Sequence, residues 1–294
     1  MIRFSICGAA SYACGELLRL MVNHPETQVA HLADSFAAGR KIQDEHPALA
    51  GFYDQEILPL NDETVDMIVK DSDVVFTAVD AGTVCGIAEK VLAGGKKFID
   101  FGADIRFRDA KVWEKWYHLD HPNYEMTKEA VYCIPEIQRD LAKGKSLISN
   151  PGCYPTATTL GLYPVLKEGM VVDNTIIVDA KSGYTGAGRR PAPNKLLAEA
   201  SNSFCAYALG GTHRHTPEIE QNIAYITGKD LMKPETWQFI NFQPHLTPQI
   251  RGIEVTIYAT LNKDISNDEL YELYQKYYKD EYFVHVYPAS KPVQ

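Results

Sequence analysis

The 294-residue sequence lacks the features that place a protein in a membrane or on nucleic acid. No apolar run approaches the ~20 residues needed to span a bilayer. The first residues, MIRFSICGAA, do not show the basic, apolar and small-residue zones of a secretory signal. The formal net charge is −9, the pI is near 5.5, and no stretch is rich in Lys and Arg. We therefore expect a cytoplasmic protein with a small-molecule substrate, no nucleic-acid partner and no membrane partner.

Cysteine is sparse and scattered, at Cys7, Cys14, Cys85, Cys133, Cys153 and Cys205. Because no two of them form a Cys-x-x-C pair, the sequence indicates neither a zinc site nor a redox dithiol. An even number of cysteines would allow disulfides, but without a secretory signal a reducing compartment is expected. The sequence predicts free thiols.

The first half of the chain alternates short β-branched runs with helical patterns. Residues 2–7, 29–33, 73–79 and 97–100 are predicted strands, with helices after the first strand and at 63–70 and 84–92. This alternation implies a parallel, doubly wound α/β domain. Beyond a strand at 146–150, longer strands at 175–180, 239–242 and 253–260 predict an α+β domain with a mixed sheet. The predicted domains are residues 1–148 and 149–294.

The strongest local motif is NPGCYPT at 150–156. A strand ends there, Gly152 permits a tight turn, and Pro155 suits the first position of a helix that reaches Gly169. Cys153 is then expected just ahead of a helix N-terminus, where unpaired N–H groups and the helix dipole favour an anionic sulfur. The alternative is a buried, inert cysteine in a turn.

A second motif, GGTHRHTPEI at 210–219, places Arg214 between His213 and His215. One histidine could act as acid and base beside a thiolate, and Arg214 could bind a carboxylate or phosphate. The His-x-His pair could instead bind a metal, although no third ligand has a convincing spacing, or it could simply cap a helix. With Cys153, the sequence favours a Cys–His catalytic pair and no metal site.

Two glycine-rich segments complete the candidates. GAASYACG at 8–15 follows the first strand, where a phosphate-binding turn is expected, but only the first glycine of G-x-G-x-x-G is present. SGYTGAGR at 182–189 also follows a predicted strand. Either segment could be a plain connection.

Taken together, these blocks resemble the N-acetyl-γ-glutamyl-phosphate reductase family, relatives of aspartate-semialdehyde dehydrogenase. The specific blocks are NPGCYPTA, SGYTGAGRRP and GGTHRHTPEIEQ, in that order. The resemblance implies a Rossmann-type nucleotide domain, a catalytic domain, and a homodimer or homotetramer. It also implies NADP-dependent reduction of an acyl phosphate, in arginine biosynthesis, through a Cys thioester.

Carried onto this sequence, the resemblance implies catalytic and substrate-binding roles. Cys153 would be the nucleophile, and His215, or less favourably His213, would be the general acid and base, with Glu218 orienting it. The substrate-binding residues would be Arg106, Arg214 and Asn150.

The cofactor side departs from the family pattern. Ser11 and Cys14 stand at two of the family's glycine positions, where their side chains are expected to crowd the pyrophosphate. Asp34-Ser35 replaces the usual Ser-Arg, which suits a free ribose and makes NAD an alternative to NADP, unless Arg40 compensates. The cofactor-binding residues implied are Gly8, Ser11, Tyr12, Asp34, Ser35, Ser182, Gly183 and Gly186.

Family members commonly continue past the equivalent of Val286 with a strand and a long helix, which this sequence is expected to lack. Two alternatives to the main interpretation remain open. The same chemistry could act on an aminoadipyl or aspartyl phosphate, or the chain could be a regulatory homologue that has lost dinucleotide binding.

Overall fold

The computed structural model describes residues 1–190, 192–193 and 196–291. Pro191, at the end of the SGYTGAGRRP block, and the last three residues of the predicted second domain lie outside the described residues. The strands are β1 (Ile2–Cys7), β2 (Thr27–Asp34), β3 (Leu58–Pro59), β4 (Val74–Thr77), β5 (Lys97–Asp100), β6 (Val131–Tyr132), β7 (Leu147–Ser149), β8 (Ile177–Ser182), β9 (Cys205–Ala206), β10 (Asn241–Leu246) and β11 (Ile253–Tyr258). The helices are α1 (Tyr12–Met21), α2 (Ile42–Glu45), α3 (Asp62–Asp71), α4 (Val84–Ala93), α5 (Ala110–Tyr117), α6 (Tyr124–Glu129), α7 (Pro135–Ala142), α8 (Cys153–Lys167), α9 (Leu197–Ala200), α10 (Thr216–Ile226) and α11 (Asn267–Tyr278).

The chain separates into two compact units. The first unit comprises Met1–Cys133, Asp140–Pro151 and Thr185–Pro193, and the second comprises Ile134–Arg139, Gly152–Tyr184 and Asn194–Gln294. The main passage from one to the other therefore falls between Pro151 and Gly152.

The first unit is built on a parallel sheet of order β3-β2-β1-β4-β5-β7-β6. Successive side chains of a strand point to opposite faces, and both faces of this sheet carry an apolar cluster. In β4, Val75 packs into one cluster and Phe76 into the other. The sequence of β4, VVFT, is a nearly continuous apolar run, as expected for a strand buried on both faces. The predicted doubly wound domain is confirmed.

The second unit contains a mixed sheet of order β11-β8-β10-β9, in which β8 and β10 are parallel and the other pairs antiparallel. Its apolar cluster joins one face of the sheet to α8 and α10, with Val178 and Ala180 fully buried. The predicted mixed-sheet domain is confirmed as well.

Helix α8 carries a proline in its interior, Pro164, and a neighbouring helix compensates for it. Proline has no N–H, so the carbonyl four residues earlier, that of Leu160, loses its usual donor. The Tyr278 hydroxyl of α11 donates to that carbonyl at 2.7 Å. Helix α11 therefore supplies the hydrogen bond that Pro164 removes from α8.

Candidate active site

Cys153 is the first residue of α8. Gly152 is the N-cap, with φ −67° and ψ 157°, so the helix begins two residues before the predicted start at Pro155. Proline is tolerated in the first turn because the N–H groups there have no intrahelical acceptor. The Cys153 side chain is exposed, as is that of Cys205, whereas the other four cysteines are buried. The sulfur thus lies at the positive end of a 15-residue helix, a position that favours an anion.

The turn before Cys153 is tied to α10 by a buried carboxylate. Oε1 of Glu218, whose side chain is fully buried, accepts a hydrogen bond from the Gly152 amide at 2.7 Å. Further along, the Asn222 side-chain amide of α10 donates to the Thr159 hydroxyl of α8 at 2.9 Å. These contacts fix the two helices to each other. The contact observed for Glu218 is with the cysteine turn, and its expected role of orienting His215 stays a prediction.

The histidine motif leads into α10. His215 is the N-cap, Thr216 is the first helical residue, and the predicted helix start at Pro217 is the second position. The His215 amide donates to Nδ1 of His213 at 3.0 Å. Tyr154, the residue after Cys153, has its ring centroid 5.6 Å from that of His213 and 5.9 Å from that of His215. The structure therefore brings the cysteine turn and both histidines together.

His213 sits among aromatic rings. Its centroid lies 4.8 Å from His215, 5.3 Å from Phe242 and 5.5 Å from Tyr207. Burial, with a smaller contribution from the Arg214 charge, lowers the pKa of His213 to about 4. His213 is consequently neutral at pH 7, and it accepts rather than donates at Nδ1.

Two tyrosines complete this cluster, and neither is predicted from the sequence. The hydroxyls of Tyr154 and Tyr207 are 3.1 Å apart. Burial raises the pKa of each phenol, so both keep their protons at neutral pH. The position of Tyr154 beside Cys153 is a signal that could have found it, but nothing near Tyr207 in the sequence links that residue to a site 53 residues away.

Of the predicted substrate-binding residues, Arg106 and Asn150 lie together in the first unit. Arg106 is 7% exposed, and it donates from Nε to the Asn150 carbonyl at 3.0 Å and from Nη2 to the Phe101 carbonyl at 2.8 Å. Arg106 thus braces the strand ends that precede the cysteine turn. Arg214, in contrast, is exposed in the second unit. Substrate binding by all three stays a prediction.

The turn between β1 and α1 depends on a glycine at its first position, and phosphate binding there stays a prediction. Gly8 has φ +90°, and a Cβ there would lie 2.3 Å from the Ala78 carbonyl oxygen, so only glycine fits. The Ser11 hydroxyl caps α1 by accepting from the Cys14 amide at 3.2 Å, and Tyr12 opens the helix. Cys14 is fully buried in the core, so the expectation that its side chain crowds the pyrophosphate is wrong. Its sulfur points into the apolar cluster because helix α1 turns that face toward the sheet.

Asp34 binds the backbone around it, and the predicted cofactor binding by Asp34 and Ser35 stays a prediction. Its oxygens accept hydrogen bonds from three backbone amides, those of Ala10 at 3.1 Å, Phe36 at 2.8 Å and Ala37 at 3.1 Å. Asp34 therefore joins the end of β2 to the first turn, while Ser35 beside it is exposed. Arg40 pairs with Glu45, Nη1 to Oε1 at 2.8 Å.

The second glycine-rich segment begins in the second unit. Ser182 ends β8, and a Cβ on Gly183 would lie 2.8 Å from the Arg251 backbone nitrogen, so glycine is required for that close approach. Gly186 lies in a 3-10 turn at Tyr184–Ala187. Cofactor binding by these three residues stays a prediction.

The same segment brings Arg189 to the first turn, a residue for which the sequence indicates no role. Its guanidinium donates to the Ala10 carbonyl at 2.9 Å and lies 5.9 Å from the centroid of the Tyr12 ring. A helix N-terminus, a glycine with positive φ and an arginine at one turn fit the phosphates of a dinucleotide.

The part of the chain that the structure describes contains neither a cluster of possible metal ligands nor a helix that could span a membrane. Within 1–190, 192–193 and 196–291, no three His, Cys, Asp or Glu side chains form a group able to hold a metal ion. No helix in the same residues is both long and apolar enough to cross a bilayer.

Comparison with known proteins agrees with this fold. Residues 3–145 match the family model described as semialdehyde dehydrogenase, NAD binding domain, and residues 153–294 match semialdehyde dehydrogenase, dimerisation domain. Among solved structures, aspartate semialdehyde dehydrogenase with NADP from Candida albicans is similar with a TM-score of 0.62 at 14% identity, over 93% of this chain and 75% of that one. Aspartate semialdehyde dehydrogenase II from Vibrio cholerae, complexed with ASA, has a TM-score of 0.64 at 12% identity, over 93% of this chain and 78% of that one.

Curated relatives are much closer in sequence. The N-acetyl-gamma-glutamyl-phosphate reductase of Desulforamulus reducens is 41% identical over 290 residues, 99% of this chain and 81% of the relative. N-acetyl-gamma-glutamyl-phosphate reductase 1 of Pseudomonas putida is 43% identical over 290 residues, which cover 99% of this chain and 80% of the relative. Fold and matches together define an oxidoreductase of the semialdehyde dehydrogenase type that uses a nicotinamide cofactor. Within that class, the chain belongs to the N-acetyl-gamma-glutamyl-phosphate reductase family.

Proposed function

We propose that this protein reduces N-acetyl-γ-glutamyl phosphate to N-acetylglutamate semialdehyde, with release of phosphate, in arginine biosynthesis. The observation that carries the proposal is the turn before α8. Cys153 is exposed at the start of this helix, and the amide of Gly152 beside it donates a hydrogen bond to Glu218 of α10. Helix α10 begins directly after His215, so one buried hydrogen bond holds the nucleophile and the histidine segment together.

The chain's own residues account for the acyl chemistry. The Cys153 thiolate attacks the acyl carbon, the bond to phosphate oxygen breaks, and phosphate leaves with that electron pair, which gives a thioester. When bound, the nicotinamide cofactor supplies a hydride for the thioester carbonyl carbon. An acid protonates the carbonyl oxygen as the hydride is added, which gives a thiohemiacetal. The thiohemiacetal returns that proton to the same group, now acting as a base, as the C–S bond breaks, so that the aldehyde is formed and the Cys153 thiolate is regenerated.

His215 is the proposed acid and base in these steps. His213 is held neutral by its aromatic surroundings, with a pKa of about 4, and therefore makes a poor proton donor at pH 7. His213 supports His215 instead, because its Nδ1 accepts the His215 amide proton. We propose that Tyr154 and Tyr207 exclude water from this side of the site.

We assign substrate binding to Arg214 in preference to Arg106. Arg214 is exposed between the two histidines, where its guanidinium can bind a carboxylate or phosphate in a bidentate manner. Arg106 is buried against main-chain carbonyls and is better suited to hold Asn150 in place. NADP is the proposed cofactor, with its phosphates at the Gly8 turn and Arg189.

A homodimer is proposed to form on the open face of the second sheet, whose other face is covered by α8 and α10. The register places Ile177, Asp179, Lys181, His245, Thr256 and Tyr258 on that open face. Ile177 and Tyr258 are 46% and 58% exposed, and the matched family model is described as a dimerisation domain. Sedimentation equilibrium of the wild type and of Tyr258→Asp tests this, with a shift toward monomer expected for the variant.

The proposed reaction is tested in reverse at 340 nm with N-acetylglutamate semialdehyde, phosphate and NADP. Wild-type protein is expected to reduce NADP, and Cys153→Ala to lose turnover while its nucleotide affinity stays nearly unchanged. Cys205→Ser, the other exposed cysteine, is the matched control and should keep its activity. Wild-type turnover by Cys153→Ala would refute the nucleophile, and equal turnover of aspartate semialdehyde would refute the substrate.

A further inference from the structure

Arg190 bridges two loops at one edge of the seven-stranded sheet. Its guanidinium carbon lies 4.8 Å from the centroid of the Phe36 ring, and its Nη2 lies 2.5 Å from Oδ2 of Asp80. Phe36 follows the carboxyl end of β2, and Asp80 follows the carboxyl end of β4. Because β2 and β4 both neighbour β1, Arg190 lies where open α/β sheets bind their ligands.

Asp34, the acidic residue at the end of β2, repels a bound anion less strongly than its position in the sequence suggests. In dinucleotide-binding folds an acid at this place binds the ribose hydroxyls and repels a 2′-phosphate. In this chain both oxygens of Asp34 face backbone amides, and its side chain is buried. Three N–H donors offset part of the Asp34 charge, which weakens its repulsion of a phosphate bound nearby.

We infer that Arg190 is the residue that binds the 2′-phosphate of NADP and makes the protein prefer NADP to NAD. This inference rests on the proposed function, which names NADP as cofactor. A guanidinium forms two parallel hydrogen bonds with a phosphate, and the Phe36 ring beneath it holds its plane in place. The phosphate takes the place of the Asp80 carboxylate.

The exchange of Asp80 for phosphate is energetically easy. The Arg190 and Asp80 side chains are 65% and 61% exposed, and ion pairs so exposed contribute little stability. A phosphate dianion offers the guanidinium more charge and more acceptor oxygens than one carboxylate. Asp80 therefore orients Arg190 while the nucleotide is absent, and it competes only weakly when the nucleotide binds.

Arg40 is the alternative candidate for binding the 2′-phosphate, but its contacts favour a structural role. Its Nη1 pairs with Oε1 of Glu45, a carboxylate only 9% exposed, and Arg189 also pairs with Glu45 at 2.9 Å. The hydrogen bond from Arg40 lowers the pKa of Glu45, which marks a pair formed in the folded protein. Arg40→Ala is therefore a matched control, since it removes an exposed arginine of the same unit.

The test is direct binding of NADPH and NADH, measured by calorimetry, with 2′-phospho-AMP and AMP as fragments. Wild type is expected to bind NADPH at least 10-fold more tightly than NADH. Arg190→Ala should weaken NADPH at least 10-fold while changing NADH less than 2-fold, and Arg190→Lys should fall between. Asp80→Asn should tighten NADPH modestly, and Arg40→Ala should leave both affinities unchanged.

Three outcomes would overturn the inference: no preference for NADPH in the wild type, an unchanged preference in Arg190→Ala, or loss of the preference in Arg40→Ala. If the wild type turns over the semialdehyde with NAD as well as with NADP, Arg190 is refuted while the reductase function stands. If the wild type binds neither nucleotide, the proposed function itself fails.

Discussion

The carboxylate of Glu218 accepts a hydrogen bond from the amide of Gly152, the residue immediately before Cys153. A fully buried side chain of one helix thereby fixes the backbone that begins the other. We interpret Glu218 as a positioning residue, which acts on the reaction through the cysteine turn.

Replacing Glu218 should therefore affect the chemical step more than nucleotide binding. Glu218→Leu leaves the Gly152 amide without its acceptor, which we expect to cost about 1–3 kcal/mol of stability and to lower kcat with little change in KM for the nucleotide. Glu218→Gln keeps an acceptor oxygen and should restore most of kcat. Steady-state kinetics with urea unfolding measures both effects.

A control for this prediction lies on the same helix. Glu220 accepts a hydrogen bond from the Ile240 amide at 3.3 Å, away from the cysteine turn. Glu220→Leu should lower stability but not kcat. If Glu218→Leu and Glu220→Leu change kcat equally, Glu218 is merely structural.

Stability should depend on the protonation of His213. Its pKa is about 4 in the folded protein and near the ordinary 6.5 in the unfolded chain. The unfolded chain therefore binds more protons between these values, and stability falls as the pH drops through 6.5 toward 4. At pH 5 the loss is on the order of 2 kcal/mol relative to pH 7.5. His213→Gln should lose correspondingly less, as urea unfolding at both pH values would reveal; identical losses in the two proteins would contradict this.

The protonation of Asp100 should change stability with pH in the direction opposite to that of His213. It is completely buried, its Oδ1 accepts from the Thr77 hydroxyl at 2.7 Å and the Gly102 amide at 2.8 Å, and burial raises its pKa to about 6. The folded protein then holds the proton more tightly than the unfolded chain, whose value is 3.8, so stability is lost as pH rises through 6. Asp100→Asn keeps the Oδ1 acceptor and removes the buried charge. We expect it to stabilise the protein by on the order of 3 kcal/mol at pH 7.5 and about 1 kcal/mol at pH 4.5. A benefit that grew toward low pH would refute this assignment.

Gly8 should tolerate no side chain. Its φ is +90°, and a methyl group at its Cα would lie 2.3 Å from the Ala78 carbonyl oxygen, so Gly8→Ala should cost more than about 1–2 kcal/mol and weaken nucleotide binding. Gly86→Ala is the control, because Gly86 lies in α4 with open space around its Cβ position. That change should raise stability by roughly 0.5–1 kcal/mol, the usual gain for alanine in a helix. Thermal melts compare the two, and a Gly8→Ala protein that melts with the wild type would contradict the turn geometry.

The local sequence pattern predicts several elements of this fold well. The strands at 2–7 and 97–100 have the bounds expected from the sequence, because each is a short run with β-branched and aromatic residues next to a helical pattern. Helix α4 ends where two glycines follow it, and Gly95 has φ +71°. The order of the three motif blocks suffices to predict the family.

What the sequence could not supply were the partners of individual side chains. The pairing of Asp34 with Ala10, and of Arg189 with the same residue 179 positions away, depends on how distant loops meet. The direction of the Cys14 sulfur follows from which face of α1 meets the sheet. Such contacts arise from tertiary packing, about which a local pattern carries no signal.

The distribution of thiols has a practical consequence. Burial raises the pKa of Cys7, Cys14 and Cys85 to about 12, and Cys133 is buried too, so a maleimide would encounter only Cys153 and Cys205. In a Cys205→Ser background, a fluorophore or nitroxide would attach at a single sulfur, that of Cys153, the proposed nucleophile. The single substitution Cys205→Ser would therefore give a protein that can be labelled at one position, so that ligand binding near Cys153 can be followed by spectroscopy.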